Sequence, residues 1–178
     1  MKNTFVTSEF KKYIKHLFKT NGSIVTEIDG DNYFLANDFF MLRTDAETFN
    51  AEILPLLNAD KIPSFAFNHS GSRCPSPKNI YNTCIKEARK DVYKTKASVS
   101  LPAGNREYFA NVFKCERNGI LINESYLNLF NIEQATFKSN GRATDMVFAT
   151  VGNSTIIFLP IRCPANFVDL VQAIVSAS

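Results

Sequence analysis

The chain has 178 residues, 45% of them hydrophobic and 12% aromatic, with a formal charge of +3. That length and apolar content suffice for one buried core, so a single domain is expected, and the mild charge permits contact with a polyanion without placing the chain among the strongly basic nucleic-acid binders. Cys74, Cys84, Cys115 and Cys163 contain no Cys-x-x-Cys pair and fall on unlike elements, which indicates neither a zinc site nor a disulfide framework; reduced thiols, no metal and no cofactor are expected.

The charged start and the lack of any run of membrane-spanning length predict no membrane contact and a cytoplasmic protein. Thr7 or Ser8 caps a first helix with Glu9 in its first turn, and Phe10, Tyr13, Ile14, Leu17 and Phe18 recur at three- and four-residue steps as its inward stripe. Lys11, Lys12, Lys15, His16 and Lys19 occupy the other side, and Asn21-Gly22 ends it. Residues 23–28 and 33–36 read as a hairpin around the turn 29–32, where Asp29 and Asp31 are turn formers rather than metal ligands. A half-buried strand runs from Phe39 to Arg43, and Thr44-Asp45-Ala46-Glu47 has capping-box form before a short helix through Phe49 and Ile53 that Pro55 ends.

Residues 62–67 are a possible strand, 68–77 a turn-rich loop, and Ser76-Pro77 starts a helix through Ile80, Tyr81, Cys84, Ile85 and Ala88. Lys78, Lys86, Arg89, Lys90, Lys94 and Lys96 lie on or just beyond its far side. The last third is densely patterned. A strand over 108–115 ends at Glu116-Arg117-Asn118-Gly119, with Asn-Gly as the hairpin signal; 120–122 resumes it, and Asn123 or Ser125 caps a helix carrying Tyr126, Leu127, Leu129 and Phe130. Three strands follow at 135–138, 146–151 and 155–159. Beyond Arg162, an amphipathic helix from Pro164 to Val175 is expected to cover the strand end at 157–161 of its own domain and restrict access to it, the same surface on a neighbouring chain being the alternative.

The order strand, strand, helix, three strands, with Ile122-Asn123-Glu124-Ser125-Tyr126-Leu127 opening the helix and Phe158-Leu159-Pro160-Ile161-Arg162 closing the last strand, resembles the carboxy-terminal domain of the bacterial DNA polymerase sliding clamp, the β subunit. The opening helix and hairpin are similar to the start of a clamp domain, and Ala36, Asp38 and Leu42 agree with its Ala-Thr-Asp-Gly-His-Arg-Leu segment, where Phe39 and Phe40 replace glycine and histidine. The resemblance implies an α+β, DNA-clamp-like single domain over 1–178: two helix-plus-antiparallel-strand halves at 1–54 and 101–162, a divergent segment at 55–100 and an extra C-terminal helix at 163–178. It implies a non-enzymatic, sliding-clamp-like replication accessory or DNA-associated protein.

Two surfaces carry that expectation. Lys11, Lys12, Lys15 and Lys19, with Lys86, Arg89 and Lys90, would track the phosphates of double-stranded DNA without reading sequence. By motif match the clamp's peptide groove becomes Asn37, Phe39, Phe40 and Leu42 on one wall and Ile157, Leu159, Pro160, Ile161 and Arg162 on the other. Its occupant would be a replication protein's peptide motif, and with one copy of each wall per chain a complete pocket would call for head-to-tail self-association. A protein-protein interaction module of the same fold without DNA binding is the alternative, and an unrecognised enzyme at loop 68–77, using His69 with Cys74, the third reading. The sequence has neither a phosphate loop nor a dinucleotide fingerprint.

Overall fold

The computed structural model describes residues 5–20, 22–57, 59, 62, 64–68 and 71–178. In chain order its elements are α1 (Ser8–Lys19), β1 (Val25–Asp29), β2 (Asn32–Ala36), β3 (Phe40–Asp45), α2 (Ala46–Thr48) running into a π-type turn at Phe49–Ile53, β4 (Phe67–Asn68), α3 (Pro77–Cys84), β5 (Lys90–Ala103), β6 (Arg106–Cys115), β7 (Asn118–Asn123), α4 (Glu124–Leu127), β8 (Thr136–Ser139), β9 (Val147–Val151), β10 (Ser154–Phe158) and α5 (Val168–Ala177). The fold is α+β. Among the described residues ten strands form one antiparallel sheet in the order β4-β1-β2-β3-β10-β9-β8-β5-β6-β7, and no helix is long and apolar enough to cross a membrane.

Side-chain caps start four helices. Thr7 accepts from the Phe10 amide, Asp45 from Thr48, Ser76 from Asn79 and Asn123 from Ser125, each satisfying an amide that has no partner inside its helix. A helix followed by a three-stranded meander then occurs twice, as α1-β1-β2-β3 and as α4-β8-β9-β10, and the two meanders meet where β3 pairs with β10. Gly30 and Gly152, at positive φ, supply the first central residue of two-residue turns inside these meanders.

Strand alternation sends side chains to two faces. Leu35, Phe40, Leu42, Ile156 and Phe158 point to the front, where α1, α4 and the Phe49–Ile53 turn close the main core. Ala36, Met41, Phe148 and Ile157 point to the back, beneath Tyr81, Cys84 and Ile85 of the α3 region. The N-terminus of α3 is pinned there by Glu27, whose carboxylate accepts from Ser76 Oγ and the Lys78 amide.

Several expectations are corrected. The central segment contains β5, a fourteen-residue strand that crosses position 100 and carries Lys90, Lys94 and Lys96. A register shift between Lys94 and Ser98 breaks its period of two, so Val92 serves the main core while Val99 and Leu101 serve a second one. Among the described residues of the strand expected at 62–67, Phe67 alone is in a strand, which it forms with Asn68; α3 gives way to a 3-10 turn at Ile85–Glu87, and α4 stops at Leu127, before Leu129 and Phe130. The β6–β7 turn is Glu116-Arg117, since Cys115 pairs with Asn118; Glu116 takes positive φ, and Gly119 stands opposite Lys114 within the ladder. The tail helix α5 packs on its own chain but over β5, β6 and β7, where Val171 and Val175 join Val99, Leu101, Ala110, Val112 and Leu121. Of the strand end it was expected to cover, Ile161 alone belongs to that cluster.

Candidate functional site

The two proposed groove walls lie side by side in one chain. Phe40 pairs with Phe158 and Leu42 with Ile156 across β3 and β10, so both walls belong to adjacent strands and no second copy is needed to juxtapose them. The ladder also decides which of the nine residues can meet a partner. Phe40 and Leu42 are core residues of the front face, Ile157 is buried on the back, and Ile161 is half-buried against the cluster of β5, β6, β7 and α5 side chains. What stays open is the rim: Phe39 is 44% exposed, Leu159 is 38% exposed, Pro160 is half-buried and Arg162 is exposed.

This rim is rigidly built. The Asn37 side chain accepts from the Phe39 and Phe40 amides at 2.9 Å each, fixing the turn into β3, and its Nδ2 donates to the Tyr13 hydroxyl at 2.7 Å. The Leu159 amide donates to the Phe39 carbonyl at 3.1 Å. The Phe39 ring stacks on Tyr126 of α4, with centroids 4.6 Å apart and planes at 14°. Tyr13 in turn meets Tyr126 edge-on at 6.1 Å. Burial, with smaller contributions from Tyr126 and Asp38, pushes the Tyr13 hydroxyl up to about 12 and likewise raises Tyr126, so both remain neutral hydrogen-bonding groups at physiological pH. Sequence reasoning assigned Tyr126 only to a helix stripe. Its place beneath Phe39 follows from the packing of α4 beside α1, which no local pattern reveals.

The cations divide into two groups. Lys11, Lys12, Lys15 and Lys19 are exposed on α1, on the front of the sheet, with Lys12 paired to Glu9 at 2.7 Å. Lys86 and Arg89 follow α3 on the back, and Lys90, at the start of β5, pairs with Glu116 at 3.0 Å. The seven therefore form no single track. Beside α1, the helix α4 presents Glu124, Ser125 and Asn128 and adds no cation.

A cleft of about 1010 Å³ lies between the α1 N-terminus, the segment after α4, and β5, with Glu9, Asp91, Glu133 and Lys94 beside the apolar Val92, Phe130 and Phe137. It contains none of the groove residues. His69, the candidate partner of Cys74, lies outside the described residues. No cluster of metal ligands occurs among those described.

Fold and rim together define an α+β protein on one antiparallel sheet, with paired helices on its front face and an aromatic edge where its two meanders meet. No family model, curated protein or solved structure matches the chain.

Proposed function

We propose that the chain is a clamp-like docking module, a non-catalytic cytoplasmic accessory protein that receives a short apolar peptide of a partner at the rim formed by Asn37, Phe39, Tyr126, Leu159 and Pro160. The observation that carries this reading is the pairing of β3 with β10, which puts the two segments resembling clamp groove walls next to each other and leaves their large apolar side chains, Phe39 and Leu159, facing outward. The clamp-like assignment draws further support from the repeated helix-plus-meander joined at its last strands. An exposed aromatic held by its own backbone contacts presents contact area with little ordering cost on binding, which suits an anchor for a linear motif.

A fluorescein-labelled peptide of the sliding-clamp-binding type, titrated by anisotropy, tests it. Phe39→Ala and Leu159→Ser each weaken binding by roughly tenfold or more, the range of interface anchors. A wild-type protein that leaves the peptide free, or variants that bind it as well as wild type, would end the proposal.

A second reading has its own observation: Lys11, Lys15 and Lys19 are exposed on α1 without an ion-pair partner among the described residues, a row suited to sequence-independent phosphate contact along double-stranded DNA. Such contact would involve α1 and leave the rim to peptide.

A further inference from the structure

We infer that the C-terminal helix α5 is a positioning element for the docking rim, acting through the strap Leu159-Pro160-Ile161. The inference rests on the docking reading of that rim and specifies what controls its shape.

The strap is held at both ends. The Leu159 amide donates to the Phe39 carbonyl at 3.1 Å, and the Ile161 amide donates to the Leu121 carbonyl at 2.8 Å, forming an isolated antiparallel bridge to the outer edge of β7. One residue separates the two anchors, and it is proline, whose ring fixes φ and removes a degree of freedom from the link. Movement at Ile161 therefore reaches Leu159 through a short link with one of its torsions fixed.

Ile161 packs on the cluster that α5 completes. Its side chain packs in the cluster that Val171 and Val175 of α5 form with Leu121, Val112 and Leu101, and Cys163 and Phe167, on the way to the helix, join the same cluster. The fit depends on a glycine. Gly119 of β7 lies beneath α5, and a Cβ there would overlap Val171 and stand 3.1 Å from Val175 Cγ2. Small size at this position lets the helix settle on β7, next to Leu121, the residue that receives Ile161.

The physical chain runs from Gly119 to α5 seating, to Ile161, to Leu159, and to the Phe39 carbonyl. With α5 seated the rim is preorganised; with α5 displaced, Ile161 loses its cover, the edge bridge frays and Leu159 is tied at one end only. The tail thus supports docking instead of blocking it, because it removes Ile161 from the open surface and leaves Phe39 and Leu159 exposed.

Amide hydrogen exchange on the full chain tests the coupling, with Gly119→Val to wedge α5 away and Val175→Ala to thin its contact without a clash. Exchange at Ile161 and at Leu159 quickens by roughly tenfold in Gly119→Val and by less in Val175→Ala, while amides of β1 and β2 keep their wild-type rates. Peptide affinity at the rim falls in the same order. Should Ile161 quicken while Leu159 keeps its wild-type rate, the strap transmits nothing and the inference is overturned. If Gly119→Val quickens every amide alike, Val175→Ala decides by the same comparison. A wild-type protein that ignores the peptide removes the docking reading, and the exchange rates still decide whether α5 governs Leu159.

Discussion

Two phenylalanines test whether core and rim have been told apart. Phe130 is 3% exposed, and its ring lies 5.5 Å from Phe5, 5.4 Å from Phe10, 5.2 Å from Phe40 and 6.2 Å from Phe158, so it joins the N-terminal segment, α1, β3 and β10. Truncation to alanine removes the transfer free energy of a full ring and leaves a cavity, together about 3–5 kcal/mol. Four aromatic neighbours, each pair worth about 0.5–1.5 kcal/mol beyond its buried area, put Phe130→Ala near the top of that range. Phe39 is 44% exposed and, among the described residues, pairs its ring with Tyr126 alone. Keeping roughly half of a burial worth about 1.5–3 kcal/mol, Phe39→Ala costs on the order of 1 kcal/mol. Equilibrium unfolding in urea reads both: the Phe130→Ala midpoint falls far below wild type, a large loss against a total stability of about 5–15 kcal/mol, and the Phe39→Ala midpoint moves little. Equal losses for the two variants would refute the division of this surface into core and rim.

Reversing Lys11, Lys12, Lys15 and Lys19 to glutamate abolishes any salt-dependent DNA retention and leaves the unfolding midpoint nearly unchanged, since exposed charges contribute little to stability. The same reversal of Lys86, Arg89 and Lys90 leaves retention intact because those residues are not on the α1 face; loss of retention from that triple change alone would remove α1 from the account. At acid pH the Asp45 cap gives a directional test. The bond from the Thr48 amide, with smaller help from Asn153 and Arg43, holds the Asp45 carboxyl below the usual aspartate range. As pH falls the unfolded chain protonates first, so the cap's contribution is complete above the ordinary aspartate value and is lost as pH drops through the lowered folded value. Thermal midpoints measured from about pH 5 down to about pH 2 therefore fall less steeply for Asp45→Ala than for wild type, and parallel curves would contradict the assignment.

What the sequence made legible was local. Thr7, Ser76 and Asn123 cap helices because a short polar side chain before an apolar period has few other uses, and the Gly30 and Gly152 turns were readable as breaks between β-branched runs, whereas the capping-box form of 44–47 pointed to Thr44 and the capping side chain is Asp45. What failed were cases in which a distant partner changes the meaning of a residue. Lys94 and Lys96 read as cations on or just beyond a basic helix, and the register shift beside them hid the alternation of β5. Gly119 looked like a turn glycine, though its small size answers to α5, fifty residues onward. Phe40, Leu42 and Ile157 matched groove positions by motif, and strand pairing turned them into core.

The site depends on the longest-range event of all, the meeting of β3 and β10. Thr44 and Ser154 share a buried hydroxyl-hydroxyl hydrogen bond of 2.6 Å at one end of that ladder, and Leu159 reaches the Phe39 carbonyl at the other. No periodicity within either strand specifies the pairing. It is selected because each meander ends on a strand with apolar side chains on both faces, Phe40, Met41 and Leu42 in one and Ile156, Ile157 and Phe158 in the other, and such a strand is covered only when it is central. The same requirement explains why Phe39 and Leu159 stand at the rim: they are the residues next to the ladder's end, tied to each other by a backbone bond and only partly covered, Phe39 by Tyr126 of α4. The proposed docking edge lies within a single chain, so peptide capture by it would need no ring and is expected of the monomer.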